Sequence, residues 1–472
     1  MTHPLAVVVL AAGAGTRMKS DLPKVLHPVA GWPMVRHVLA AAQALRPDRI
    51  IVVGPPGRDD VARAVAPQPC VVQDRPLGTG DALRTALPAL KGFAGDVMVM
   101  FGDSPLITTA SLRRLLAARR RSATKGGAGK RRIALGVLGF RAVDPTPYGR
   151  LIRGTTGDLE RIVEGRDASA AERKVDVVNS GVMVIDGTLL PGLVQRLRND
   201  NAKGEYYLTD LAAIARQAGH RCVVVEGSEA EFLGVNSKTD LAAAEAAMQS
   251  RLRLAALEAG VTMIDPATVW LSADTRFGRD VSVGPNTMFG PGVEVGDGVT
   301  IHGFCHIEGA VIGPRSIVGP FARLRRGTRI GTDVHIGNFI ELKNTTIRDG
   351  AKANHVSYLG DGDIGARVNI GAGTIFVNYD GFGKWRTVVG EDAFVGSNSS
   401  LIAPVRVGPG ANVAAGSVVT RDVDADAVSF GRARQVDKPR AAPPLRAKLK
   451  ARAEVAKDME RARKRGGGRQ QT

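Results

Sequence analysis

From Val281 to about Val436, apolar residues recur every six positions. Val283, Phe289, Val295, Ile301 and Ile307 form one run, and Ile312, Val318, Leu324, Ile330, Ile336 and Leu342 a second. Tyr358, Ile364, Ile370 and Phe376 form a third; Val389, Val395, Leu401, Val407, Val413 and Val419 form a fourth. An amphipathic helix repeats at 3.6 residues and a half-buried strand alternates over a few. A sustained period of six with Gly after many of the apolar positions predicts a parallel β-helix, one short strand and one turn per hexad. The register slips at two telling places: Leu342 to Tyr358 is sixteen residues and Phe376 to Val389 is thirteen, neither a multiple of six. The first slip contains Lys343, Asn354 and His355, the second Asn378-Tyr379-Asp380-Gly381 and Lys384. Breaks in a repeat mark loops and binding faces, so a site is expected there.

The preceding 238 residues read differently. Continuous apolar runs at 6–13, Arg49–Val53, Cys70–Val72, Asp96–Phe101, Ile133–Phe140, Val175–Ile185 and Arg221–Val225 predict strands. Helical patterns separate several of them, at Pro33–Leu45, Thr79–Leu90 and Tyr206–Gln217; Tyr148–Glu164 alternates like a hairpin. Strands alternating with helices imply an α/β, doubly wound, mostly parallel Rossmann-like sheet, whose ligands sit beyond the carboxyl ends of strands. Lys238–Glu258, rich in Ala, Leu and Glu, predicts one long helix. The expected domains are therefore 1–238, a linker helix at 239–259, the β-helix at 260–437 and a basic, flexible tail at 438–472.

The net charge of +18 raises the question of nucleic acid. Its distribution argues against that reading. Lys438–Thr472 holds twelve Lys/Arg and three Asp/Glu, and Arg119–Arg132 holds seven basic residues and no acid. Together these two segments carry nearly all of the excess, and both read as exposed, solvated appendages. The three cysteines, Cys70, Cys222 and Cys305, lie far apart, which suggests reduced thiols and a cytoplasmic protein. No apolar stretch reaches the ~18 residues of a membrane span.

Chemistry begins at Leu10-Ala11-Ala12-Gly13-Ala14-Gly15-Thr16-Arg17-Met18. A Gly-x-Gly turn between strand and helix brings backbone N–H groups close to a phosphate, but alone it is equally a tight turn. Pro23-Lys24-Val25-Leu26 adds a cation, Leu77-Gly78-Thr79-Gly80 a second Gly turn at a helix start, and Phe101-Gly102-Asp103-Ser104-Pro105 a carboxylate at a strand end. In the repeat, His355 is the best-placed general base of the eight histidines, since imidazole titrates near neutrality. His302, Cys305 and His306 fall within one coil and read as unconnected solenoid side chains, because zinc sites usually need four ligands.

Taken together, LAAGAGTRM, PKVL, LGTG, GDSPL and the hexads resemble the bacterial bifunctional family that joins glucosamine-1-phosphate acetyltransferase to N-acetylglucosamine-1-phosphate uridylyltransferase. The likeness covers roughly residues 5–437. It implies that Leu10, Ala11, Ala12 and Gly13 hold the UTP nucleotide and that Arg17 and Lys24 face its phosphates. It implies that Gln73, Gly78 and Thr79 read uracil, beside Phe101 and Gly102, and that Asp103 and Asn236 bind Mg²⁺. Gly149, Glu164 and Asn179 match sugar contacts. In the repeat, Lys352-Ala353-Asn354-His355 matches the segment carrying the base His355, with Glu341 as its orienting group. Arg325, Lys343, Tyr358, Asn369, Asn378 and Lys384 match glucosamine-1-phosphate contacts. Ala372, Asn378, Tyr379, Ser397, Ala415 and Arg432 match acetyl-CoA contacts. The family's β-helix is left-handed and trimerises, with acetyl-transfer sites between neighbouring chains. The product serves peptidoglycan and lipopolysaccharide synthesis.

Three positions depart from the family pattern: Pro147, Asn354 and Gly431 stand where other residues are usual, and the insert Arg119–Arg132 has no counterpart. A second reading keeps uridylyl transfer and makes the solenoid regulatory; His355, Asn369, Asn378-Tyr379 and Arg325 in matching places argue against it.

Overall fold

The computed structural model describes residues 3–121, 132–201 and 203–466. The N-terminal domain is built on a nine-stranded sheet. In chain order its main elements are β1 (Leu5–Leu10), α1 (Met34–Gln43), β2 (Arg49–Gly54), α2 (Asp59–Val65), β3 (Cys70–Val72), α3 (Thr79–Ala86), β4 (Asp96–Phe101), α4 (Thr109–Arg120) and β5 (Ile133–Arg141). A hairpin, β6 (Arg150–Arg153) and β7 (Leu159–Val163), follows, then β8 (Val177–Asp186), α5 (Leu190–Gln195), α6 (Asp210–Gln217) and β9 (Arg221–Gly227). The spatial order is β9-β5-β8-β4-β1-β2-β3. All neighbours along it are parallel except β8, which runs antiparallel to both β4 and β5. β1 is buried along its whole length because helices cover both faces of the sheet. Ala6, Val8 and Leu10 enter one core and Leu5, Val7 and Val9 the other. The helix expected at Tyr206 begins only at Asp210, because Tyr206 pairs with Leu77 and Gly80 through its backbone.

At the start of the basic insert, Arg119 departs from the exposed appendage that composition suggested. Arg119 is buried, and its guanidinium meets Asp96 at 3.0 Å and Asp186 at 2.6 Å. Arg120 adds a second contact to Asp96 at 2.6 Å, and Arg132 pairs with Asp186. The two carboxylates are fully buried register partners on β4 and β8. Residues 122–131 of the expected loop lie outside the described residues.

The linker helix α7 (Lys238–Glu258) is opened by a capping box between Ser237 and Asp240. Its Ala244 and Met248 pack with Met18, Val29, Ala30, Met34, Leu106 and Val235 of the first domain, and Ala273 of the solenoid lies against the same cluster. Glu245 accepts from the Ala30 N–H at 2.7 Å, and Ala273 N–H donates to the Ala30 carbonyl at 2.9 Å.

The second domain is a three-sided parallel β-helix. Three interior columns define its sides. The first runs Ile301, Val318, Ile336, Ala353, Ile370, Val395, Val413. The second runs Ile307, Leu324, Leu342, Leu359, Phe376, Leu401, Val419. The third runs Ile312, Ile330, Ile347, Ile364, Val389, Val407. The predicted interior positions hold, with one correction. Tyr358 is not inside; Leu359 is, and it pairs with Leu342. Within the first slip the short steps are Leu342–Ile347 and Leu359–Ile364, so His355 sits in a regular hexad and, of the three residues named there, only Lys343 lies at a shortened corner. The second slip is a true insertion, looping out between Val377 and Thr387 and carrying Lys384.

After the last coil, the tail forms α8 (Ala442–Gly466), with every described side chain exposed.

Removing one partner from a buried ion pair strands its mate, at a cost of about 3–5 kcal/mol. Arg119→Met should therefore lower the urea midpoint sharply. The more exposed Arg120→Met should lower it much less.

Candidate active sites

Beyond the carboxyl ends of β1 and β4 lies a cleft of about 440 Å³. The loop after β1 forms one wall. A Cβ at Gly13 would meet no protein atom, so its bareness leaves room for a ligand; one at Gly15 would stand 2.7 Å from Lys24 Cβ, so that glycine (φ 62°) admits the lysine. The N–H groups of Ala12, Gly13 and Ala14 find no partner among the described residues and are free for an anion. Arg17 and Lys24 line the same cleft.

Asp103 and Asn236 are brought together as expected. Lys24 Nζ pairs with the Asp103 carboxylate and donates to Asn236 Oδ1 at 2.9 Å, and Arg17 donates to that same oxygen at 2.9 Å. A backbone bond from Val235 N–H to the Asp103 carbonyl, 3.0 Å, fixes the two segments side by side. Two oxygen donors thus converge on one cationic point, the donor chemistry a hard divalent ion requires.

On the far wall, Gln73 is buried and donates through Nε2 to the Gly78 carbonyl (3.1 Å) and Asp81 (2.9 Å). Its Oε1 is left as an acceptor. Gly78, at φ 105°, could not carry a side chain because the Tyr206 carbonyl lies 2.7 Å from the Cβ position. Thr79 Oγ1 accepts from the Leu208 N–H at 3.1 Å. Phe101 closes this end, its ring filling the space a Cβ on Gly181 would take; Gly102 and Leu10 join β4 to β1 by a 2.9 Å backbone bond.

A second cleft adjoins the first, sharing Arg17 and Lys203 as lining. Here Gly149, Glu164 and Asn179 meet: the Asn179 N–H donates to the Gly149 carbonyl at 2.8 Å, and the Glu164 carboxylate lies 3.7 Å from the Gly149 Cβ position. Burial pushes the Glu164 carboxyl above its ordinary range, opposed by a 3.1 Å hydrogen bond from Thr209. Burial, then Glu164 and other nearby acids, pushes Asp210 up to about 6. Pro147 lines this cleft, its loop held by Arg150 NH1 donating to the Pro145 carbonyl. Lys203 and Thr209 were missed in the sequence, where neither stands in a recognisable motif.

In the β-helix the predicted residues fall on two corners. At the corner between the second and third sides, Lys343 and Lys384 are so close that Lys384 holds the Lys343 ammonium below its ordinary value, with Arg325 adding to the effect. Asn378 is buried beside them and donates to Asp361 at 2.5 Å, while Asn344 donates to the other oxygen at 2.6 Å. Tyr358 reaches the same place, since its hydroxyl and the Asn378 amide crowd the Cβ position of Gly360. Asp380 ties the inserted loop: Gly383 N–H, Trp385 Nε1 and Phe382 N–H hold its carboxyl down to about 2. Tyr379 bridges back to Lys384.

At the corner between the first and second sides, His355, Ala372, Ser397 and Ala415 form one row. Each lies two residues beyond the interior residues Ala353, Ile370, Val395 and Val413, which stack in register. Arg432 extends it, its side chain passing 3.6 Å from the Gly416 Cβ position. Asn369 lies on the first side, away from the cation corner. Gly431 is required where it stands, because the Val418 carbonyl lies 2.5 Å from its Cβ position. Glu341 does not orient His355: it accepts from Arg325 at 2.9 Å and faces Arg323 at 3.6 Å. The partner of His355 is Asn338, 3.0 Å from Nδ1. Asn338 and Asp361 also went unread in the sequence, since each acts across coils. Cys305 is buried, and no group of three metal-ligating side chains occurs among the described residues.

Residues 7–134 match the MobA-like NTP transferase domain, and residues 274–309 and 386–421 match the bacterial transferase hexapeptide repeat. The "Bifunctional protein GlmU" of Paramagnetospirillum magneticum is 53% identical over 433 residues, 92% of this chain and 94% of that protein. This chain belongs to the bifunctional GlmU family. The Rhodospirillum rubrum protein of the same name is 54% identical over 90% of this chain, and that of Cereibacter sphaeroides 49% over 97%. The hexapeptide match fits the left-handed β-helix expected of the GlmU family.

An acid whose folded-state value is raised stabilises the fold below its unfolded value and loses that contribution as pH rises through the folded one. Asp210→Asn should therefore raise the thermal midpoint by a few degrees at pH 7–8, and the gain should vanish as pH falls through about 6 toward the ordinary carboxylate range. Thermal melts across pH check this.

Proposed function

We propose that the chain is a bifunctional enzyme of UDP-N-acetylglucosamine synthesis, acetylating glucosamine-1-phosphate with acetyl-CoA and then joining the product to UMP from UTP, with release of pyrophosphate. The observation that carries this reading is the pair of separate anion sites, each with its own chemistry, on a chain matching its relatives over 90% or more of its length. The product feeds cell-wall peptidoglycan and lipopolysaccharide precursors, in the cytoplasm; no helix among the described residues is long and apolar enough to cross a membrane.

In the first domain the attacking sugar phosphate is already anionic, so no general base is needed. Two polyanions must be brought together, which requires cations and fixed N–H donors. Mg²⁺ would be held by Asp103 and Asn236, and when bound supplies charge neutralisation for the phosphates. That frees Lys24 and Arg17 for phosphate oxygens. Gln73, Gly78 and Thr79 set the base and Glu164, Asn179 and Gly149 the sugar.

In the second domain Arg325, Lys343 and Lys384 are a like-charged group that a phosphate would relieve, with Asn378 and Tyr358 beside it. The row His355–Ala372–Ser397–Ala415–Arg432 is a track for acetyl-CoA, leading to His355 as base. Both ligand sets are split: Asn369 lies apart from the other sugar-phosphate contacts, and Asn378 and Tyr379 lie apart from the coenzyme row. The second side of the prism, five residues of strand or about 16 Å, separates the two corners, whereas the phosphate and amino group are on adjacent carbons of one sugar. Apposing the first corner of one copy to the second corner of the next would complete the site; such a head-to-tail contact closes into a ring, and the family resemblance implies three copies. An exposed aromatic ladder supports a contact there. Phe304, Phe321 and Phe339 stack at 4.9 and 5.1 Å beside the base's row, all at positive φ, where bulky residues are rare.

Assaying the two half-reactions separately tests the reading. His355→Ala should abolish acetyl transfer and spare uridylyl transfer, and Asp103→Ala the reverse. A chelator should stop only uridylyl transfer, and added Mg²⁺ should restore it. Loss of both activities in either folded variant would sink the two-site assignment.

A further inference from the structure

The second domain needs an imidazole whose free lone pair faces the substrate, and an exposed histidine on a prism corner has two tautomers and a loose ring. The carboxylate nearest in sequence pattern, Glu341, is engaged by Arg325 and Arg323. Instead, His355 Nδ1 lies 3.0 Å from Asn338 Oδ1. An amide oxygen only accepts, so the proton of this bond belongs to Nδ1 and the lone pair to Nε2.

The fold builds this pair. Asn338 and His355 are ladder partners on successive coils. Gly337 allows the coils to seat so closely that a Cβ there would stand 1.9 Å from the Asn354 carbonyl. Each partner precedes a corner residue held at positive φ, Phe339 at 56° and Val356 at 39°. A β-branched or bulky side chain in that region is an outlier held only by its surroundings. Both side chains therefore leave the corner in a fixed direction.

We propose that Asn338 is the positioning residue of the acetyl-transfer base, locking His355 as the Nδ1–H tautomer so that Nε2 receives the proton. This rests on the reading of His355 as that base. As the glucosamine nitrogen forms its bond to the thioester carbonyl carbon, its proton passes to Nε2. The C–S bond then breaks, and the coenzyme A thiolate leaves and takes up the proton from the imidazolium. An amide orients the ring without adding negative charge. The charged and titratable groups around this corner are Lys352 on the same strand, His335 on the preceding one and His302 beyond it. Burial first, then His302, Lys352 and His355, lowers the His335 value. A carboxylate in place of Asn338 would stabilise the imidazolium and delay its deprotonation.

The test compares Asn338→Ala, Asn338→Asp and His355→Ala by pH profiles of acetyl transfer, with uridylyl transfer as the internal control for folding. Partners that orient an imidazole contribute roughly 10–100-fold in metal sites, and a loss of that size in kcat is expected for Asn338→Ala, with KM for both substrates little changed. Asn338→Asp should recover part of the rate and move the acidic limb of the profile up by about one pH unit. An unchanged kcat in Asn338→Ala overturns the proposal, as does an unmoved acidic limb in Asn338→Asp. Acetyl transfer surviving His355→Ala would instead overturn the assignment of the base.

Discussion

Closure of the β-helical coil is the constraint on which the rest of this structure depends. Each side must send one apolar side chain inward, and each coil must lie directly on the one before, or the interior columns from Ile301 to Val419 lose their packing. Once that is satisfied, every residue at a given offset from an interior position is stacked along the same edge of the prism. Placing Ala372, Ser397 and Ala415 at one offset from Ile370, Val395 and Val413 lines them up in one row without any further folding information, and the proposed coenzyme track is this row.

The first domain solves a different problem, the gathering of charge. Its two ends are built oppositely. At the carboxyl ends of β1 and β4, cations and free N–H groups face an open cleft. At the other end, Asp96 and Asp186 are buried and paired by charge with three arginines. The same residue types thus serve binding in one place and stability in the other, and burial decides which.

Much of this was legible in the sequence because periodicity reports directly on burial. The hexads gave the columns, and the motifs around Gly13, Lys24, Gly78 and Asp103 converge on one cleft as the family resemblance implied. What escaped were relations across the sheet or between coils. Tyr358 fits the beat of six as well as Leu359 does, and only the five-residue steps at the corners distinguish them. Arg119 looks like the start of a solvated run, since nothing local shows that Asp96 and Asp186 wait beneath it. Asn338 and Asp361 act on residues seventeen positions away, a distance that has meaning only after the length of a coil is known.

Met18 follows Arg17, which reaches into the nucleotide cleft, yet its own side chain is fully buried in the cluster that also holds Met248 of the linker helix. The loop proposed to hold a nucleotide and the joint between the domains are therefore one mechanical unit. Severing the chain before the linker would bare Met18, Val29 and Met34 to water and loosen the loop from behind. The isolated first half would then be a weakened catalyst through a defect far from any substrate, and its deficit would be misread as evidence of communication between the two sites.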